Sequence, residues 1–206
     1  ADTGTTTTEE SSKTVGITVL SVNDAPTITL PAPQTVDEDG SLVLSSGNST
    51  AIQIADVDAA SGNVRLTLSV ANGTLTLSGT TGLTVSGNET ATVTIEGSIA
   101  DITTMLNAGV TYAPALNYNG VDTVTVTVND LGNTGVLGGP KETSDTLAVT
   151  VNPVNDIPTV SAITVDVTED VTKSFSLASS DVDAGTGPND AAVNGYKIVT
   201  LPANGT

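Results

Sequence analysis

The chain has no cysteine, no histidine and no tryptophan, and its aromatic content is 2%. Without cysteine there is no disulfide framework and no thiolate chemistry; without either cysteine or histidine the usual zinc sites and every histidine-based catalytic triad are excluded. The few aromatics provide no stacking platform for bases or sugars. Positive charge is scarce as well, with five Lys and Arg against 23 Asp and Glu, a net charge of −18. Nucleic acid and anionic membrane surfaces are therefore poor partners, because binding a polyanion requires Lys and Arg to displace its counterions. No run approaches the roughly 20 apolar residues that cross a bilayer, and the first residues lack a basic and apolar signal segment. Together these absences disfavour an enzyme.

What is present is hydrophobic enough to fold. Hydrophobic residues are 37% of the chain, mostly Val, Ile, Leu and Ala, which argues against compositional disorder. The acids recur at fixed landmarks instead of spreading evenly. Bound cations would neutralise such clusters; the simpler alternative is a solvated acidic surface that keeps an exported protein soluble.

The phrase Val22-Asn23-Asp24-Ala25-Pro26 returns as Val154-Asn155-Asp156-Ile157-Pro158, 132 residues later. Its neighbours return in order: Glu38-Asp39 with Glu169-Asp170, Asp56-Val57-Asp58 with Asp181-Val182-Asp183, and Asn72-Gly73-Thr74 with Asn204-Gly205-Thr206. Landmarks that keep their order while offsets drift by a few residues are the mark of tandem domains with unequal loops. Residues 1–21 read as the C-terminal strand region of one repeat, 22–153 as a complete repeat, and 154–206 as the linker and N-terminal part of the next. The chain reads as a piece of a longer polypeptide.

Val, Ile or Leu alternates with Thr or Ser in Thr14–Val19, Val64–Val70, Ala91–Ile95, Thr123–Val128 and Thr146–Val151. A period of two with β-branched residues on both faces predicts half-buried strands, and Asn72-Gly73 and Gly87-Asn88 are turn signals between them. Many short strands in a unit of this size predict an all-β fold, a tandem antiparallel β-sandwich of cadherin or immunoglobulin-like kind. One exception is Ser98-Ile99-Ala100-Asp101, a capping-box variant followed by Ile102, Met105 and Leu106 before Gly109; it predicts a short helix plugging one end of the sandwich. Leu131–Lys141 is glycine-rich and aperiodic, and is expected to be a mobile loop. Asn48-Ser49-Thr50, Asn72-Gly73-Thr74 and Asn88-Glu89-Thr90 match the glycan-acceptor pattern but read as ordinary turns, and Tyr112 and Tyr118 as core or corner tyrosines.

Strand order decides where the acids meet. Antiparallel pairing of the last two strands places Asp122 at the second junction, and the loops after the first and second strands are expected to face the junction of their own unit. This predicts convergence of Asp122, Asn155, Asp156, Glu169, Asp170, Asp181 and Asp183. Oxygen donors without nitrogen or sulfur fit a hard cation, and irregular sites of six to eight oxygens fit Ca2+ better than magnesium. Unneutralised, two carboxylates about 4 Å apart repel by about 4 kcal/mol at an effective dielectric near 20. The segments are not EF-hands: counted from Asp56 the sixth and twelfth positions are Ser61 and Thr67, and from Asp181 they are Thr186 and Ala192, so the required Gly and Glu are absent.

Val-Asn-Asp-Ala/Ile-Pro, Asp37-Glu38-Asp39 and Thr168-Glu169-Asp170, the two Asp-Val-Asp triplets, and Tyr112-x-Pro114 leading to Tyr118-Asn119-Gly120-Val121-Asp122 occur in that order. The set resembles the bacterial cadherin-like tandem repeats of giant calcium-dependent surface adhesins, and it covers essentially the whole chain. That resemblance implies Ca2+ between successive sandwiches, held by Asn23, Asp24, Glu38, Asp56 and Asp58 at the first junction and by Asp122, Asn155, Asp156, Glu169, Asp181 and Asp183 at the second. It implies an extracellular location on a bacterial cell surface and a structural extender, with neighbouring repeats of the same polypeptide as partners. A self-associating repeat of an extracellular filament or matrix layer, with homotypic contacts, is the alternative, as is a directly adhesive domain; an enzyme using paired carboxylates, such as Asp56 and Asp58, on a polysaccharide is weaker than either.

Overall fold

The computed structural model describes residues 4, 12–59, 62–132 and 137–182; Asp183 and the final Asn204-Gly205-Thr206 landmark lie outside them. The strands of the complete repeat are β1 (Thr27–Thr29), β2 (Gln34–Asp37), β3 (Leu42–Leu44), β4 (Gln53–Ala55), β5 (Asn63–Ser69), β6 (Gly73–Leu77), β7 (Thr84–Ser86), β8 (Thr92–Ser98), β9 (Val110–Pro114), β10 (Gly120–Asn129) and β11 (Glu142–Asn152), with helix α1 (Ile99–Ala108) between β8 and β9. Short strands β12 (Thr159–Val160) and β13 (Ser179–Ser180) follow the second linker.

The predicted sandwich forms from a six-stranded sheet, ordered β2-β11-β10-β5-β8-β7, and a three-stranded sheet, β3-β9-β6, with β1 and β4 as a separate pair. Alternation explains the core. Along β10, Asp122, Val124, Val126 and Val128 are buried and their odd-numbered neighbours face outward, because successive side chains leave a strand on opposite faces. Leu66 and Leu68 of β5, Val93 and Ile95 of β8, and Leu147, Val149 and Val151 of β11 add to the same inner face, with Leu75, Val110 and Tyr112 also in the core.

Helix α1 forms where the capping box places it. Ser98 Oγ accepts the Asp101 amide at 3.1 Å and donates to the Asp101 carboxylate at 2.7 Å, and Ile102, Met105 and Leu106 are buried below. Gly109, at φ +134°, ends the helix in a conformation that L-residues avoid.

One expectation fails. Thr14–Val19 is not a strand: Val15, Ile17 and Val19 are largely exposed, because among the described residues no strand pairs with them to satisfy their backbone. Thr146–Val151, at the same repeat position, pairs with β10 and β2 and buries Leu147, Val149 and Val151. Of the expected mobile loop at 131–141, residues 133–136 lie outside the described residues; its two described ends are fastened to Asp130 through the Gly132 and Lys141 amides.

Candidate metal-binding seams

β1 and β2 are consecutive in sequence yet lie in different sheets. Pro31-Ala32-Pro33 separates them, and two prolines without N–H groups cannot continue a ladder. β1 pairs antiparallel with β4, so Thr27 lies opposite Ala55. β2 crosses to the other sheet and runs parallel to β11, with Asp37 opposite Asn152. The first acidic loop therefore lies at the far end of the sandwich from the first linker.

This corrects the placement of Glu38. Its backbone amide donates to Asn152 O at 3.0 Å, and its Oε1 accepts the Val154 amide at 2.7 Å. Glu38 belongs to the second seam and not to the first. Asp37 accompanies it, accepting from Asn152 Nδ2 at 3.1 Å. Glu38 is 4% exposed, and its Oε2 is buried with no hydrogen-bond partner.

At the first seam the Asp24 backbone meets the Asp58 side chain, and the Asp58 backbone meets Asp56. The Asp24 amide donates to Asp58 Oδ2 at 2.6 Å, and the Asp58 amide donates to Asp56 Oδ1 at 2.8 Å. Asp56 Oδ2 is buried without a partner. Asn23 is 1% exposed and turned the other way: its Nδ2 donates to Asp130 Oδ2 at 2.6 Å and to Gly139 O at 2.8 Å.

Asp122 is near the second seam but faces inward, 3% exposed. Its Oδ1 accepts from the amides of Ala71 and Thr123 at 3.2 and 2.8 Å, and its Oδ2 from the amide of Asn72 and the hydroxyl of Tyr112 at 2.9 and 2.8 Å. Four donors occupy the four lone-pair sites of a carboxylate, leaving none for a cation. Burial alone would raise its pKa, but the Thr123 amide, the Tyr112 hydroxyl and the Asn72 and Ala71 amides outweigh this and hold it below the ordinary 3.8. Burial and the adjacent Asp122 charge push the Tyr112 hydroxyl up in turn. Asp122 is thus a fold-forming carboxylate in this arrangement, against its expected ligand role.

Asp130, absent from the expected ligand set, mirrors it at the other end of β10 and is 1% exposed. Burial raises its pKa, but the Lys141 and Gly132 amides, the Asn23 side chain and the Lys141 charge together lower it below 3.8. The signal was in the pattern: Asp122, Val124, Val126, Val128 and Asp130 occupy one face at a period of two.

The second seam contains a cleft of about 340 Å3 lined by Asn117, Asp156, Ile157, Thr159, Ser180, Asp181 and Val182. Asp156 and Asp181 are therefore neighbours, brought together by the antiparallel pair β12 and β13. Asn117, held at φ +58° in the turn before β10, joins them. Asn155 is exposed, with Nδ2 donating to Asp156 O at 2.9 Å, and Glu169 is exposed in a turn outside the cleft. The expected convergence is therefore partial, and among the described residues no three acidic side chains form one metal-sized group.

No family model and no curated protein matches the chain. Among solved structures it is similar to the major subunit of aggregative adherence fimbriae type I from Escherichia coli, at 13% identity and a TM-score of 0.29, covering 66% of this chain and 100% of that one.

Proposed function

We propose that the chain is a structural extender of a large extracellular bacterial surface protein, its sandwich units stiffened at the seams by calcium. One observation carries this reading. Each end of the complete sandwich holds a buried carboxylate oxygen with no hydrogen-bond donor, Asp56 Oδ2 at the first seam and Glu38 Oε2 at the second. Such an oxygen costs about 1–3 kcal/mol to leave unsatisfied, and a hard cation would satisfy it. Asp56 and Asp58 are the candidate ligands at the first seam; at the second they are Glu38 and, lining a separate cleft with Asn117, Asp156 and Asp181. Calcium would supply charge neutralisation and a bridge between units.

Calorimetric titration with Ca2+ tests the reading. Binding is expected for the native chain, with loss at one seam in D56N and at the other in E38Q; no heat of binding with the native chain would refute it. Scattering should show an extended, stiff particle with Ca2+ and a more flexible one with chelator.

Self-association is supported by a different observation, the exposed apolar row Val15, Ile17 and Val19 in a segment whose repeat counterpart is a buried strand. A concentration-dependent mass in light scattering, abolished by V15D/I17D, would favour it.

A further inference from the structure

The long β10–β11 connection fastens the linker that precedes its own unit. Val22 forms a parallel bridge with Leu137, and the Asn23 amide donates to Leu137 O at 2.8 Å. The Asn23 side chain reaches Asp130 and Gly139, 107 and 116 residues away in sequence. Asp130 is anchored in turn, its Oδ1 accepting the amides of Gly132 and Lys141 at 2.9 and 2.8 Å. Gly138, at φ +116°, lets the loop pass against Asn23. Thr143 Oγ1, at the start of β11, donates to Pro26 O and holds the far side of the linker.

We propose that the described ends of this connection, Asp130 with Gly132 and Leu137 to Lys141, form a metal-independent clasp, in which Asn23 is a positioning residue that fixes the linker onto its own sandwich and is not a calcium ligand. The two adjacent linker residues then divide the work. Asn23 points to the clasp, while Asp24 lies against Asp58 on the acidic side. The linker leaves the unit in one direction before any cation binds, and calcium then acts on a linker already fixed to its own sandwich. This deepens the extender reading but is tested without calcium.

Amide exchange measured by NMR in chelator decides it. In the native chain the Asn23 amide is expected to exchange at least about a hundredfold slower than an unstructured amide, as a closed local unit does. Asp130→Asn keeps Oδ1 for its two backbone amides but presents an NH2 group to the Asn23 NH2, so it should abolish this protection while the amides of β5 and β8 stay protected. Asn23→Ala, which leaves the loop's own residues unchanged, should lower protection at residue 23 by at least about tenfold. Rapid exchange of the native Asn23 amide in chelator, or unchanged protection in both variants, would overturn the clasp. Failure of calcium binding would leave these outcomes unmoved.

Discussion

Asp122 and Glu38 lie near the same end of the sandwich and are equally hidden, 3% and 4% exposed, yet their surroundings are opposite. Asp122 accepts four hydrogen bonds, whereas Glu38 accepts one and keeps a buried oxygen bare. The difference shows that burial alone does not settle what a carboxylate does. What matters is how many donors the fold itself supplies. A fully supplied carboxylate holds the sandwich together, and an undersupplied one keeps an acceptor open.

Acid breaks the supplied class most severely. Asp122 and Asp130 have lowered pKa values in the folded chain, so their stabilisation is complete above the ordinary 3.8 and is lost as pH falls through the folded values. Melting temperature should fall steeply below pH 3.8, with an unfolding proton uptake of about two from these groups. D122N/D130N should flatten that dependence. If the flattening is absent, the two carboxylates are not the acid-sensitive groups.

Asp122→Ala comes next. Three amides and the Tyr112 hydroxyl lose their acceptor in the interior, at a cost of about 3–5 kcal/mol. The melting temperature should drop by roughly 10 °C or more, equally with calcium or chelator. A deficit that calcium repairs would move Asp122 into the ligand class.

Glu38→Gln should behave in the reverse way. Oε1 remains for the Val154 amide and the buried charge disappears, so stability in chelator should stay level or rise slightly. The calcium-induced gain, about 2.7 kcal/mol at a hundred times the dissociation constant, should shrink in thermal melts. A large loss in chelator would instead make Glu38 part of the fold. Smallest is Leu131→Gly: Leu131 sits at φ +59° beside Asp130, where a side chain costs about 1–2 kcal/mol. After the greater freedom of glycine in the unfolded chain is subtracted, a net gain of about 0.5 kcal/mol is expected from denaturant titration, without change in the calcium response.

Much of the fold was legible because it follows from local rules. Alternating Val and Thr located β5, β8, β10 and β11, and Ser98 with Asp101 located the helix. The candidate site was legible only in its residue types. Asp58 meets the Asp24 amide because β1 and β4 form a local antiparallel pair. Glu38 was sent to the wrong end because Pro31 and Pro33 let the chain change sheets, and nothing local tells which sheet receives β2. Strand pairing places Asp122 at the second seam, but its period-two relation to Val124 turns its side chain inward. Asn23 was misread for another reason, since its partners lie more than a hundred residues downstream.

The parallel pairing of β2 with β11 has a mechanical consequence. One strand follows the incoming linker and the other leads directly into the outgoing one, so tension along the chain drives them past each other in opposite directions. The rungs from Gln34 opposite Val149 to Asp37 opposite Asn152 would then share the load in shear instead of parting singly from one end. A unit wired in this way resists being drawn out by force beyond what its equilibrium stability alone would indicate, since forced unfolding is governed by the barrier to opening.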